Sequence, residues 1–342
     1  MSGQIVRPAA IAAQRGGPAL SPAAKAAVAA GTPDTTRRAY NEDVNHFKAW
    51  CAETGNPGLP TTGTVLTEYA TYLIEARGWA PVSIERARWA ILKWHSLAEF
   101  PPPSTAGLVS ALKGYRESLA KAESPKAEPQ KAAAASRETL VSMLATLDRS
   151  TPAGMRDAAI ILLGFGIGGR RSEIAGLSIG SLNFQERGVQ VKVYRKKTRK
   201  MDNPVVQYRS DKAVCPVRAA LAWIEVLAAN GRSPGPLFVR INRHGHLGHQ
   251  ITRNGAPIGD PAGRMTGQAV GDVIHRCAIS AGLAGKWTGH SLRRGLATSM
   301  HQAGAERSLI ERQGGWEKGS RAVSGYIDDA DRWLVDVLEG VL

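Results

Sequence analysis

The sequence GGRRSEIAGL, residues 168–177, is the most informative stretch of this chain. Arg170 and Glu173 lie three residues apart at the start of a predicted helix, where a carboxylate can hold a guanidinium in one orientation. An ion pair at this spacing is also common on ordinary helix surfaces. The pair therefore indicates a chemical site only if other parts of the chain support it.

A basic run follows, between two segments that have the alternation of β-strands. Val189, Val191 and Val193 alternate with polar residues, which is the period of a half-buried strand. Residues 205–208 are expected to return beside this strand. The turn between them is predicted to hold the sequence RKKTRK, residues 195–200, so the hairpin exposes several positive charges.

A second arginine motif, GHSLRRG, begins a later predicted helix. His290 and Arg293 are three residues apart and share one face of that helix. An apolar stripe faces away from His290: Leu292, Leu296 and Met300. The helix therefore has a buried side and a side that presents hydrogen-bond donors.

Two aromatic residues complete the pattern near the C-terminus. Trp316 follows two glycines, and Tyr326 lies ten residues after it. Taken alone, each is more often a packed aromatic side chain than a functional one. Their position after the two arginine motifs and the basic hairpin favours a functional role for both aromatic residues.

These motifs, in this order, resemble the tyrosine recombinases of the phage integrase family, and most closely their Cre-like branch. The resemblance covers about residues 35–342 and rests on five short sequences: GGRRSEIAGL, RKKT, GHSLRRG, QGGW and GYID. It implies seven catalytic residues: Arg170, Glu173, Lys197, His290, Arg293, Trp316 and Tyr326. Trp316 stands where most members have histidine and Cre-like members have tryptophan. The implied enzyme is a site-specific DNA recombinase.

The resemblance gives these residues their roles. Arg170 and Arg293 would bind the phosphate, and Glu173 would support the first of them. Tyr326 would be the nucleophile, and Lys197 would protonate the departing 5′ oxygen. The same turn offers other lysines for that last role: Lys196 and Lys200.

The residue types suit the cleavage of a phosphodiester bond without water or metal. A phenol with an ordinary pKa near 10 is a poor nucleophile at pH 7, so nearby cations must favour its phenolate. Guanidinium groups stay charged and bind two phosphoryl oxygens at once. His290 would accept the Tyr326 proton, whereas the Trp316 indole can only donate a hydrogen bond. No cofactor is expected, and the implied intermediates are a 3′-phosphotyrosine and a Holliday junction.

Patterns outside the motifs predict a mainly α-helical fold with a small β-sheet. Residues 1–33 lack an apolar period and are expected to form a disordered tail. Residues 34–122 carry four apolar stripes at helical spacing, and residues 123–135 have the composition of an exposed linker. The resemblance implies an N-terminal helical core-binding domain, a larger catalytic domain at residues 136–342 and a C-shaped clamp around DNA.

The charge balance favours a polyanionic partner. The chain has 44 Lys and Arg residues against 29 Asp and Glu residues, a net charge of +15. Arg86 and Arg88, on the third predicted helix, are the candidates for contacts with DNA grooves or phosphates. An ordinary solvated helix face is the alternative for both arginines.

The C-terminal segment, about residues 327–342, is predicted to form a helix with an apolar face: Trp333, Leu334, Val337, Leu338 and Val341. The resemblance implies that this helix docks on a neighbouring protomer. The expected assembly is a homotetramer on DNA, and the chain is expected to be monomeric off DNA. The expected targets are short inverted-repeat sites. Packing of the helix on its own domain is the alternative.

Other classes of protein are disfavoured. The chain has no nucleotide-binding glycine loop, no HExxH motif and no apolar run of about 18 residues that could span a membrane. Three cysteines match neither a disulfide nor a metal pattern: Cys51, Cys215 and Cys277. A group of histidines lacks a fourth zinc ligand: His244, His246 and His249. We expect a cytoplasmic, nucleoid-associated protein without bound metal.

Two other functions fit part of the motif set. A type IB topoisomerase shares the Arg-Lys-Arg-His-Tyr chemistry but relaxes supercoils as a monomer. A non-catalytic DNA-binding protein could keep the same fold. Neither accounts as well for the complete motif set together with the apolar C-terminal segment.

Overall fold

The computed structural model describes four stretches of the chain: residues 21–24, 27, 31–128 and 130–332. The chain divides into two compact units, unit 1 up to Gln130 and unit 2 from Lys131 onward. Most of the predicted tail at residues 1–33 lies outside the described residues, and so do residues 333–342 of the predicted docking helix. The domain bounds given above stay a prediction.

Between residues 31 and 128, the described part of unit 1 contains four helices: α1 (Asp34–Thr54), α2 (Gly63–Glu75), α3 (Pro81–Leu97) and α4 (Ala106–Lys121). Their apolar stripes meet in one core: Phe47, Leu66, Tyr69, Leu73, Ile84, Ile91, Leu108 and Leu112. Gly55 ends α1 with a φ of 70°, a conformation that suits glycine. Thr62 caps the N-terminus of α2, since its side chain accepts a hydrogen bond from the Val65 N–H at 3.3 Å.

The helices of the described part of unit 2 are α5 (Arg137–Ala145), α6 (Pro152–Gly166), α7 (Arg171–Gly176), α8 (Pro216–Ala229), α9 (Gly267–Ser280), α10 (Gly289–Gln302), α11 (Arg307–Gly314) and α12 (Arg321–Asp331). Most of α6 is buried, so it lies at the centre of the unit. On α8, the Trp223 indole donates a hydrogen bond to the Leu237 carbonyl at 2.6 Å. This core carries the loops and helix ends that form the candidate site.

Across the residues that the structure describes, the strands form three small antiparallel sheets. The first has the order β1 (Leu182–Gln185), β2 (Gly188–Val191), β5 (Val205–Gln207), and the others are the hairpins β3 (Val193–Arg195) with β4 (Lys200–Asp202) and β6 (Ile251–Arg253) with β7 (Ala256–Ile258). Val206 pairs with Val189, so the returning strand lies where the alternation predicted it. The prediction of a mainly helical fold with a small β component is confirmed.

The long strand expected from Val189 to Val193 is interrupted at Lys192. The Lys192 backbone N–H donates to the Ser181 carbonyl at 2.8 Å, which extends the β1–β2 pairing by one residue beyond Val191. The next strand, β3, then pairs with β4 instead. The basic turn is shorter than predicted, because Arg195 ends β3 and Lys200 begins β4.

Candidate active site

Arg170 and Glu173 are joined at the N-terminus of α7. The Arg170 guanidinium donates from Nη1 to Glu173 Oε1 at 2.5 Å, and its backbone N–H donates to Oε2 at 3.0 Å. The Arg170 side chain keeps 19% of its surface exposed, whereas that of Glu173 is fully buried. A buried carboxylate therefore orients a guanidinium that still reaches solvent.

Glu173 also binds a second arginine. Arg195 is 1% exposed and donates from Nη1 to Glu173 Oε2 at 3.1 Å. Burial by itself would raise the pKa of Glu173, but the hydrogen bonds from Arg170 and the charges of both arginines outweigh it and lower the pKa. Glu173 is therefore an anion held between two cations.

Arg293, on α10, lies beneath the surface of the site and is 2% exposed. Its Nη1 donates to the carbonyls of Gly168 and Gly314, each at 2.5 Å, and its Cζ lies 3.8 Å from the centroid of the Trp316 ring. Its Nη2 is buried and has no hydrogen-bond partner among the described residues. An unpaired buried N–H is costly, so this group is a ready donor for an anion.

Burial also shapes the charge of this guanidinium. Desolvation, followed by the charge of Arg170, lowers the pKa of Arg293 to about 9. A group with that pKa is still a cation at neutral pH. An anion bound between Arg170 and Arg293 would relieve the repulsion between the two guanidinium groups.

His290 is the second residue of α10 and is exposed. The start of this helix is fixed by Thr288, whose side chain accepts a hydrogen bond from the His290 backbone N–H at 3.1 Å. Partial desolvation of the ring, and then the charges of Arg293 and Arg170, lower the pKa of His290. The imidazole is therefore largely neutral at pH 7 and can accept a proton.

Trp316 and Tyr326 lie beside Arg293. Their rings contact edge to face, with centroids 6.2 Å apart and an interplanar angle of 69°. Tyr326 is half-buried on α12 and packs against a small apolar cluster: Ala297, Ile310 and Val323. Gly315 ends α11 with a φ of 64°, a left-handed turn that glycine adopts readily, and Trp316 follows it directly.

Lys197 lies in the turn between β3 and β4 and is exposed, as are Lys196 and Lys200. Within the described part of the chain, no hydrogen bond or ion pair joins Lys197 to the other six site residues. The other six form two contact groups, Arg170 with Glu173 and Arg293 with Trp316 and Tyr326, and His290 lies within electrostatic range of the charged members of both groups, Arg170, Glu173 and Arg293. The choice among the turn lysines stays a prediction.

Arg86 and Arg88 are both engaged in ion pairs within unit 1. Arg86 binds Asp43, which is 2% exposed, through two hydrogen bonds of 2.7 and 2.9 Å. Arg88 donates to Glu85 at 2.7 Å and lies over the Trp89 ring. The Arg86 side chain stays 46% exposed and that of Arg88 only 13%, so Arg86 presents more of its charge to a partner. DNA contact by these residues stays a prediction.

Other sites considered from the sequence can be located as well. In the described ranges, no group of three His, Cys, Asp or Glu side chains is placed to hold a metal ion. His244 and His246 lie in an exposed loop, where they bind Arg243 and Asn242. None of the described helices is long and apolar enough to cross a bilayer.

Arg195 is a residue of the site that the motifs do not predict, because the whole basic run has the composition of an exposed turn. Its guanidinium is buried and contacts Glu173, Asp202 and the backbone of two other segments. The alternation does carry a signal for its burial. Residue 195 continues the inward series of Val189, Val191 and Val193, which places its side chain on the buried face.

Comparison with known proteins identifies the family. The model of the phage integrase family matches residues 136–332, more than half of the chain. The chain is 28% identical over 323 residues to an integrase/recombinase XerD homologue from Selenomonas ruminantium, covering 91% of this chain and 86% of that protein. It is 24% identical over 281 residues to the tyrosine recombinase XerD of Lacticaseibacillus casei, covering 82% and 83% of the two proteins.

Solved structures share the fold at 13% identity. A lambda integrase dimer bound to a COC′ core site has a TM-score of 0.58 and covers 92% of this chain and 77% of its own. A lambda integrase tetramer bound to a Holliday junction has a TM-score of 0.56, with 96% and 77% covered. XerH bound to a palindromic difH substrate has a TM-score of 0.52, with 82% and 72% covered. Fold, motif order and family match agree, and the chain belongs to the phage integrase family of tyrosine recombinases.

Proposed function

We propose that this site-specific recombinase cuts a DNA strand with Tyr326 and holds the cut end as a 3′-phosphotyrosine. The observation that carries the proposal is the Arg293 guanidinium. It is buried, its Nη2 has no partner among the residues that the structure describes, and it stacks on Trp316, which in turn contacts Tyr326. A phosphodiester phosphate supplies the acceptor oxygens that this N–H lacks, directly beside a phenol.

Two guanidinium groups and an indole stabilise the transition state. Arg170 and Arg293 bind the non-bridging oxygens, whose negative charge grows as the phenol oxygen approaches phosphorus. The Trp316 N–H donates a further hydrogen bond. Because Glu173 and the two carbonyls fix the arginines beforehand, little reorganisation is needed when the reaction begins.

Proton transfer divides between two residues. His290, neutral because its pKa is lowered, accepts the proton of Tyr326 as the new oxygen–phosphorus bond forms. The bond from phosphorus to the 5′ oxygen breaks, and Lys197 gives that oxygen a proton. A 5′ hydroxyl from another strand reverses these steps and joins the two strands without a cofactor.

The partner we propose is double-stranded DNA. Its phosphates match the net charge of +15, and the structural relatives include lambda integrase on core-site DNA and XerH on a palindromic difH substrate. A palindromic site for that relative supports short inverted repeats as the targets here. In unit 1, Arg86 is the better placed of the two predicted contacts because its side chain is more exposed.

A covalent-trapping experiment tests this function. In a duplex nicked close to the cleavage point, cutting releases a short fragment that carries the new 5′ hydroxyl. This fragment dissociates, so the strand cannot be rejoined. With EDTA present, we expect the wild-type chain to form a denaturant-resistant adduct at the 3′ phosphate. Peptide mapping should place the nucleotide on Tyr326. Absence of an adduct in EDTA, with activity restored by added metal, would contradict the mechanism.

A second experiment, with a plasmid substrate, distinguishes a recombinase from a topoisomerase. A plasmid carrying two target sites should yield recombinant products, with Holliday junctions as intermediates. Relaxation of supercoils without exchange between the two sites would favour the topoisomerase.

Joining strands from two duplexes needs four active sites, so we propose a homotetramer on DNA. A structural relative, lambda integrase, is found as a tetramer on a Holliday junction. The segment after Arg332 supports assembly through its composition, since seven of its ten residues are large and apolar, including the five of the predicted apolar face: Trp333, Leu334, Val337, Leu338 and Val341. We propose that it docks on a neighbouring protomer.

A chain that ends at Asp331 tests the docking. We expect it to cleave the nicked substrate, because the described site residues are all present. It should pair two sites poorly, and we expect the yield of recombinant product to fall at least about tenfold, because a few apolar residues usually dominate an interface of this kind. Gel-shift analysis of two-site complexes measures the first step. Normal recombination by the shortened chain would exclude docking in trans.

A further inference from the structure

Arg195 is 1% exposed, and it has a hydrogen-bond partner on each of four separate segments. It donates to Glu173 at 3.1 Å, to Asp202 at 3.0 Å, and to the carbonyls of Ile167 at 3.0 Å and Gln313 at 3.4 Å. A guanidinium can reach so many acceptors because its donors form a rigid fork.

Three of these partners connect Arg195 to residues of the candidate site. Glu173 orients Arg170. Gln313 directly precedes Gly314, whose carbonyl accepts a hydrogen bond from Arg293. Asp202 lies on β4, across the hairpin from β3, and the turn that joins these strands carries Lys197. Arg195 therefore connects both phosphate-binding arginines to the base of the lysine turn.

Gly315 shows how tightly this connection is built. A Cβ atom at this position would lie 2.4 Å from Arg195 Nε and 2.7 Å from Asp202 Oδ2. The Arg195–Asp202 pair thus packs against the backbone immediately before Trp316. The second glycine of the QGGW motif is required by this pair as well as by its own positive φ.

We infer that Arg195 is a positioning residue, which holds the lysine turn in register with the two arginines that bind the phosphate. The inference rests on the proposed function. The turn lysine is exposed and no contact to the rest of the site is present among the described residues, so its placement depends on the base of its hairpin. An error of about 1 Å in the position of a reacting group can lower a rate about 100-fold.

A sulfur-substituted substrate isolates the protonation of the departing 5′ oxygen from the rest of the reaction. When the bridging 5′ oxygen is replaced by sulfur, the leaving group is a thiolate, which departs without a proton because the pKa of a thiol is near 8.5. Loss of the general acid should therefore slow cleavage of the oxygen substrate and spare the sulfur substrate. Lys197→Ala calibrates this behaviour, and Lys196→Ala tests the neighbouring lysine.

Asp202→Asn is the sharper test variant, because it weakens the link to the hairpin and leaves the contacts of Arg195 with Glu173 in place. Arg195→Lys is the second variant, since it keeps the charge and loses the fork. For both we expect cleavage of the oxygen substrate to fall about 10- to 100-fold, with near wild-type cleavage of the sulfur substrate. Arg187→Lys, in the exposed turn before β2, is the matched control and should cleave both substrates normally.

The outcomes separate the inference from the function on which it rests. Equal losses on both substrates for Asp202→Asn and Arg195→Lys would overturn the inference, because the defect would then lie in folding or in phosphate binding. Normal cleavage of both substrates would overturn it too. No adduct with either substrate for the wild-type chain would overturn the proposed function itself, and the inference with it.

Discussion

Tyr326→Phe should abolish the covalent protein–DNA adduct while the protein still binds its target. The variant removes one hydroxyl and keeps the ring, which packs against Ala297, Ile310 and Val323. The fold should therefore persist, and the melting temperature should change little. Loss of a covalent nucleophile commonly lowers turnover on the order of 10⁶-fold, so no adduct should be seen on the nicked substrate.

Tyr194→Phe is the matched control for this variant. Tyr194 lies on β3 with half of its surface exposed, and the substitution removes the same hydroxyl from the same unit. We expect normal adduct formation from this control, and gel-shift binding close to wild type for both variants. An adduct formed by Tyr326→Phe would contradict the assignment of the nucleophile.

Local sequence patterns were sufficient to predict most of the helices. Leu66, Tyr69 and Leu73 follow one another at helical spacing, and a helix that buries such a stripe needs no information from distant residues. Strand limits depend on partners elsewhere in the chain. The alternation continues through Lys192, but the chain pairs with β4 from Val193 onward, and the strand divides there.

The candidate site shows the same division. The Arg170–Glu173 pair is local, because three residues separate its members within one helix start. The partners of Arg293 are the carbonyls of Gly168 and Gly314, one of them 125 residues away in the chain, and no local pattern predicts them. Only the resemblance to a known family assigned these separated motifs to one site.

Ion pairing between helices changes how much charge the unit 1 arginines present, and the pattern of a single helix does not predict it. A helical stripe shows which side chains face outward, and Arg86 and Arg88 do lie on outward positions of α3. It does not show that Asp43, on another helix, is buried beneath Arg86 and binds it through both oxygens. Such a pair forms only when two helices pack, and the sequence pattern of neither helix predicts it.

Arg293→Lys should lower the rate of strand cleavage by roughly 10³-fold, the usual effect of removing one preorganised donor to a transition state. An ammonium cannot hold the carbonyls of Gly168 and Gly314 in the same geometry and also offer an N–H to phosphate. It also loses the stacking on Trp316. Single-turnover cleavage of the nicked substrate measures the rate, and the melting temperature reports whether unsatisfied carbonyls destabilise the fold.

The pH dependence of this variant provides a second, independent test. Burial and Arg170 lower the pKa of Arg293 to about 9, so the wild-type guanidinium stays charged from pH 6 to about 8. The same surroundings should lower the pKa of a lysine at this position well below its ordinary 10.4, because they disfavour any cation there. The variant should therefore lose further activity as the pH rises over that interval, whereas Arg293→Gln, which has no charge to lose, should show a deficit that does not change with pH. A lysine variant with the same pH profile as the glutamine variant would show that the charge of residue 293 is not what stabilises the reacting phosphate.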